Sequence, residues 1–495
     1  LALFPISSVD AYYHLATGRR ILDDGAIPAR GVGSATFGSH PWHDNEWGFQ
    51  VLAAAVGRAV FEPSGVLVLT RGGRVGLVAM RAAALAATLA LLAATIARLS
   101  VGPVLSALGV WLAAFLTFGN LFWDIRPQIL SYVALAALAF LLERARERRC
   151  LALSACLAVM ALWANVHGAF VVGLGLLVCE AVGEWVEVGR ETSDRTRAWR
   201  VTATACFAPL AACLNPLGFA QLVHPFVYLR HPEIYARNNE WVRPDLLHLP
   251  LMVVTFGLLA IAVFAGARLR PAHVLRVMVF YGLFLTAIRH LPLAVIVVVP
   301  VLAEALTQAA RGGGWRRFLD PDASAWGIGR KRAVMVAALA AAIVGLSGAK
   351  FIGLVPSFEE RPTRALPEAH VRFLARNAVP GNGFNAYRFG GFLMFRLFPQ
   401  ERVFMDGRND LYGTFRDEVY NRILLTEPGW SEAWDDAVAR YDLGWVLVDA
   451  TDPLALELSR SPRWWRVPDE KLGADPRFGT DGIVLFLHAD NKTSS

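Results

Sequence analysis

Apolar residues run along this chain in blocks of helical length. Residues 82–97 (AAALAATLALLAATIA), 250–265, 293–303 and 333–349 are long, apolar and bounded by charge, the pattern of helices that cross a membrane. Spans are expected near 1–8, 75–98, 103–120, 126–142, 150–165, 168–187, 201–214, 250–267, 276–288, 291–308 and 333–350. The opening LALFPI reads as the end of a first span, so the chain is expected to begin late in transmembrane helix 1. The stretch 46–61 (EWGFQVLAAAVGRAVF) carries Arg58 and falls short of the ~20 residues a span needs. It reads as an amphipathic helix lying on the membrane. Residues 9–74 then form a large first outer loop with surface helices near 11–23 and 46–60.

Beyond Pro356 the pattern changes. Helical runs (PEAHVRFLARN, WSEAWDDAVARYD) alternate with short strand-like runs (RVFMD, GWVLVD, GIVLFLH), which predicts a compact α/β domain over 356–495. The fold class expected is thus an α-helical polytopic membrane protein of about eleven transmembrane helices over 1–350, with a C-terminal extracytoplasmic α/β domain.

Composition agrees with this division. The chain of 495 residues is 55% hydrophobic and 18% charged, against about 25% charge in soluble domains. Its net charge of +7 is explained by location, without a nucleic-acid partner. Arginine and lysine crowd the loops at 143–149, 190–200, 268–276 and 311–332; the intervening loops hold only Arg230, Arg237, Arg243 and Arg289. The positive-inside rule puts the first set in the cytoplasm. Asp10 and the region after Pro356 therefore fall outside. The five cysteines (Cys150, Cys156, Cys179, Cys206 and Cys213) lie in or beside spans without metal-ligand spacing, which excludes a zinc ribbon or a disulfide framework.

Polar groups gather on the outer side. The first loop holds Asp10 and His14, then Asp44 and Glu46; later loops supply Asp124 and Arg126, Asn165 and His167, Asn215, His224, Glu240, Arg289 and His290. Ionisable groups at membrane depth point to function. Each also has a plainer reading. Asp10 precedes a helix-like run ending at Gly25 and suits an N-cap. Asp44 and Glu46 read as solvated loop charges, Asn165 and His167 as hairpin caps, and Arg126 and Arg289 as groups snorkelling to head groups.

DAYYHLATGRRILDDGAIP and HPWHDNEWGFQVL resemble the first outer loop of C-type polytopic glycosyltransferases, which use lipid-phosphate sugar donors. WANVHG, LNPLGF, NNEW, IRHLPL, FNAYRFGGFLMFR and VFMDGRNDLYG look like motifs of a bacterial branch of that superfamily. The last two are distantly similar to the segment around the Trp-Trp-Asp motif of oligosaccharyltransferase catalytic subunits; the motif itself is absent. The resemblance implies that Asp10 is the catalytic acidic residue and that Glu240 is a weaker match to the second one. With Asp10, Glu240 could hold a divalent metal such as Mg2+ or Mn2+; Asp44 and Glu46 are further acidic candidates.

Sugar transfer from a polyprenyl phosphate needs a base for the acceptor hydroxyl and positive charge for the departing phosphate. Asp10 suits the first task. Arg126 and Arg289, assisted by His167 and His290, suit the second. In the soluble region, GRND at 407–410 is a candidate acceptor loop through Asp406 and Arg408, which could equally stabilise a strand-to-helix turn.

The expected function is transfer of a sugar from a lipid carrier to a glycan, lipid or protein acceptor at the outer face of a bacterial inner membrane. The expected partners are membrane lipids, the lipid-linked donor and the acceptor. A transporter or flippase would place substrate groups near the bilayer midplane in two related halves, and no internal repeat is evident. A non-enzymatic assembly protein would place no demand on Asp10.

Overall fold

The computed structural model describes residues 10–99, 101–117, 124–146, 150–226, 240–244, 249–264, 266–311, 366–397, 399, 401–473 and 482–494. The chain divides into two compact units. One comprises residues 1–4, 79–230 and 235–355; the other comprises 5–78, 231–234 and 356–495. The expected first outer loop thus clusters with the C-terminal region, where the sequence grouped it with the spans.

In that second unit, α1 (Asp10–Asp24) places Asp10 in its first turn, where the helix dipole favours a carboxylate. Gly25, at a positive φ of 66°, ends it. α1 packs on α2 (Trp47–Val56), and they meet so closely that a Cβ on Gly18 would lie 1.9 Å from the Gln50 carbonyl oxygen. The amphipathic helix expected to reach residue 60 stops at Val56. Residues 59–61 instead form β1 (Ala59–Phe61), antiparallel to β2 (Leu67–Leu69). Pro63-Ser64-Gly65 supplies the turn, where the Gly65 N–H donates to the Glu62 carbonyl, and turn chemistry overrides the helical pattern.

Helices fall on nine of the expected spans: α3 (Arg71–Arg98), α4 (Pro103–Leu116), α5 (Gln128–Ala145), α6 (Cys150–Ala164), α7 (Phe170–Gly189), α8 (Arg195–Ala212), α9 (Leu249–Phe264), α10 (Pro271–Thr286) and α11 (Leu291–Arg311). The stretches at 1–8 and 333–350 lie outside the described residues. By length and composition, the helices Arg71–Arg98, Gln128–Ala145 and Ile288–Arg311 are long and apolar enough to cross a membrane; several others are apolar but shorter.

At one end of the helical unit, charged side chains are buried together. Glu143 of α5 accepts from Arg276 of α10 at 2.9 Å, and Arg276 also pairs with Glu180 of α7. Arg270 reaches Glu184 at 2.6 Å and Glu187 at 2.9 Å, and Arg197 of α8 reaches Glu184 at 2.9 Å. His273 lies 3.2 Å from Glu143 and 2.9 Å from Glu304 of α11. These pairs tie five helices at the end whose loops carry the basic excess.

The second unit resumes with α12 (Glu368–Asn377), β3 (Asn382–Asn385), α13 (Tyr387–Leu397), α14 (Trp430–Tyr441), β4 (Leu443–Asp449), α15 (Pro453–Arg460), β5 (Trp464–Arg466) and β6 (Ile483–His488). The sheet order is β3-β4-β6-β5, with β3 parallel to β4 and the other pairs antiparallel. GWVLVD and GIVLFLH became β4 and β6, while β3 and β5 carried too short a pattern to be foreseen. RVFMD makes only single bridges, in which Val403 pairs with Gly383 and with Ser34 of the first loop. The Ala35 N–H donates to the Val403 carbonyl at 2.8 Å, and the Val403 N–H donates to the Gly33 carbonyl at 3.0 Å. The sheet is thereby continued into the first loop. Phe384, Phe404, Tyr420 and Trp434 pack as an aromatic core with ring centres 4.7–5.5 Å from Phe384.

Candidate functional site

The second unit assembles one group of chemistry-bearing residues around the start of α1. Asp10 faces the turn at 406–410 so closely that a Cβ on Gly407 would lie 2.6 Å from Asp10 Oδ1 and 3.1 Å from the Tyr13 ring. Only glycine leaves room for that carboxylate. The turn is rigid. Asp406 accepts from the Arg408 backbone N–H at 3.0 Å, from Arg408 Nε at 2.8 Å and from the Tyr412 hydroxyl at 2.9 Å. Burial works against the Arg408 charge, yet Asp406 outweighs it and holds the guanidinium above its ordinary value. Asp406 and Arg408 are 0% and 2% exposed, so the bonds they make are those of the turn-stabilising role.

Asp44 and Glu46 also belong to this group. The Tyr13 hydroxyl donates to Glu46 Oε2 at 3.3 Å, and His14 Nδ1 lies 3.9 Å from that oxygen. Asp44 is 1% exposed and accepts from the Glu46 N–H at 3.2 Å and Gln50 Nε2 at 2.9 Å. Burial pushes its carboxyl up to about 7, with the Glu46 hydrogen bond opposing. It is therefore a buried group, where the sequence suggested a solvated loop charge. Burial, then Glu46, Asp10, Asp410 and Asp44, raise the Tyr13 phenol well above its ordinary range. Trp42 Nε1 donates to Asp410 at 3.1 Å, and the Arg408 guanidinium stands 4.9 Å from the Trp42 ring centre.

The helical unit assembles the other candidates. Arg126 pairs with the Glu240 carboxylate. The Arg289 N–H donates to the Glu240 carbonyl at 3.2 Å, and its guanidinium lies 4.5 Å from the Trp241 ring centre. His290 meets Trp241 edge-on at 6.1 Å, and its Nδ1 lies 2.9 Å from the Leu283 carbonyl. His167 Nδ1 is 2.8 Å from Ser131 Oγ, which accepts from Trp163 Nε1 at 2.7 Å. Burial, then the Arg289 charge, push the His167 imidazole down to about 3, so it is neutral at physiological pH. Asn165 Nδ2 donates to the Ala161 and Leu214 carbonyls at 2.7 and 2.8 Å, and Asn215 Nδ2 donates to the Ala164 carbonyl at 2.8 Å. These two motif asparagines satisfy backbone at helix ends, as a capping role requires.

No group of three His, Cys, Asp or Glu among the described residues is arranged to hold a metal ion. Asp10 and Glu240 belong to different units, and the Glu240 charge is balanced by Arg126.

No family model matches the chain, and no curated protein matches it by sequence. Solved structures do. An oligosaccharyltransferase of Archaeoglobus fulgidus, tethered to an acceptor peptide containing the NVT sequon, matches 90% of this chain and 65% of its own with a TM-score of 0.58 at 9% identity. The arabinofuranosyltransferase AftD from Mycobacteria matches 98% of this chain and 40% of its own, with a TM-score of 0.55 at 16% identity. The chain has the fold of a C-type membrane glycosyltransferase. The archaeal oligosaccharyltransferase AglB, in complex with an inhibitory peptide and a dolichol-phosphate, matches 99% of this chain and 71% of its own, with a TM-score of 0.55 at 10% identity. This C-type fold spans about two thirds of the first archaeal enzyme and two fifths of the mycobacterial one.

Sequence reasoning singled out Asp10 but missed two groups in its surroundings. Tyr387 is half-buried where the Asp10 charge reaches it, and Arg416 lies over the Tyr387 ring with its guanidinium carbon 4.3 Å from the centre. Neither bore a signal beyond its presence in an aromatic or charged run.

Proposed function

We propose that this protein is an integral membrane glycosyltransferase that moves a sugar from a polyprenyl-phosphate carrier to a hydroxyl of a glycan, lipid or protein acceptor. The reading has about eleven spans in a bacterial inner membrane, with the first outer loop and the C-terminal α/β domain outside. Asp10 is the base. It takes the acceptor proton as the acceptor oxygen bonds the anomeric carbon and the sugar–phosphate bond breaks toward phosphate. A single base with direct displacement inverts that carbon.

The observation that carries the reading is the setting of Asp10 within a fold of this class. Its carboxylate is seated at the first turn of α1 against a glycine in a turn stiffened by a buried ion pair. Such bracing is what a reacting group needs. The test uses purified full-length protein with synthetic polyprenyl-phosphate sugars. Asp10→Asn is expected to lower transfer by about 10²–10⁴-fold, the range a positioned base supplies. Transfer at the wild-type rate would refute Asp10 as the base.

A further inference from the structure

Arg416 opens the π-helix Arg416–Asn421, and π-turns occur frequently at functional sites. Its Nη1 donates to Asn409 Oδ1 at 3.3 Å, and its guanidinium lies over the Tyr387 ring. The Tyr387 hydroxyl donates to the same Asn409 oxygen at 3.1 Å. Tyr387 and Asn409 thus fix the guanidinium plane from two sides. Its Nε is buried without a hydrogen-bond partner, and no carboxylate pairs with Arg416 among the described residues. A buried charged donor left unmatched is costly and calls for an acceptor from elsewhere.

Other arginines of this unit are committed: Arg408 to Asp406, Arg388 to Asp449, Arg372 to Glu62 and Arg396 to Glu368. In the helical unit, Arg126 is held by Glu240 and Arg289 lies on Trp241. Arg416 therefore differs from Arg126, which the sequence nominated for phosphate and whose guanidinium is paired with a carboxylate. It is also near the reacting carboxylate. The Asn409 N–H donates to the Gly407 carbonyl at 3.0 Å, Gly407 faces Asp10, and the Asp10 charge acts on Tyr387.

With Nη1 occupied by Asn409, the Nε–Nη2 edge of the guanidinium is the one left without a hydrogen bond among the described residues. Two parallel N–H groups on that edge match two oxygens of a phosphate. We propose that Arg416, braced by Tyr387 and Asn409, binds the phosphate of the donor beside Asp10. That the phosphate is the donor's rests on the glycosyl-transfer reading. As the sugar–phosphate bond breaks, its electron pair passes to the phosphate oxygen, and Arg416 faces the charge that develops there.

Binding is measured without turnover, so its outcome is separate from that of the transfer assay. Detergent-purified full-length protein is titrated with farnesyl phosphate and, in parallel, with inorganic phosphate. Arg416→Gln is expected to weaken farnesyl phosphate at least about tenfold, the loss of a charge-assisted hydrogen-bond pair. Arg416→Lys keeps the charge without the fork and should fall between; it decides the matter if the glutamine variant does not fold. Asp10→Asn should lower transfer by about 10²–10⁴-fold while retaining this binding. Wild-type affinity in both Arg416 variants, or no farnesyl phosphate binding by the wild type, overturns the assignment. Equal affinity for inorganic phosphate overturns the lipid donor as its ligand.

Discussion

Asp10 and Gly407, nearly four hundred positions apart in sequence, are so close that a methyl group on the second would lie 2.6 Å from an oxygen of the first. The contact joins the first loop to the C-terminal region within a single compact unit. Gly407→Ala must therefore displace either the carboxylate or the turn. The turn is pinned by Asp406 and Arg408, so Asp10 should yield. Transfer is expected to fall about 10²-fold, the scale for a misplacement near 1 Å, with thermal stability little changed. Unchanged kcat in the alanine variant would show that the carboxylate is not held for catalysis.

The Asp406–Arg408 pair should prove structural. Arg408→Met leaves a buried carboxylate without its main counter-charge, which costs about 3–5 kcal/mol. Thermal unfolding of the full chain should shift markedly downward. A variant as stable as wild type would mean that Asp406 is solvated or protonated in the folded protein.

Asp44 sets a pH dependence. Burial raises its carboxyl from 3.8 to about 7 in the folded protein, so the folded state holds the proton more tightly than the unfolded chain. Stability from this group is fully present below the unfolded value and falls as pH rises toward 7, by up to about 4 kcal/mol. Asp44→Asn should remove that slope. Melting temperatures recorded from pH 4 to pH 8 test it, and an identical slope in both proteins would place the titration elsewhere.

In the helical unit, Glu180 is fully buried and paired with Arg276 and Arg197. Glu180→Gln leaves these cations short of charge and should cost about 3–5 kcal/mol. A fall in the unfolding temperature of detergent-solubilised protein checks it; no fall would mean that water or other carboxylates absorb the charge.

Much of this was legible in the chain. Apolar blocks of helical length located nine of the described helices to within about six residues at each end, because burial in lipid or between helices demands a continuous apolar stretch. The acidic start of α1 was legible as well, since an acidic residue opening an amphipathic run stands out against its surroundings. The hairpin at 59–69 was not, because three-residue strands hold too little alternation to outweigh the helical run before them.

By itself the sequence determined the helices, the split in character near Pro356 and the identity of the acidic residue at the head of α1. Those are local properties, set by hydrophobic period, charge and turn chemistry along neighbouring residues. The tertiary structure alone decided that the first loop joins the C-terminal sheet through Val403, that Asp44 is buried, and that Glu240 is spent on Arg126 while Arg416 is not spent on any carboxylate among the described residues. Each depends on which distant side chains share a volume, and pairing across hundreds of residues leaves no trace in local pattern.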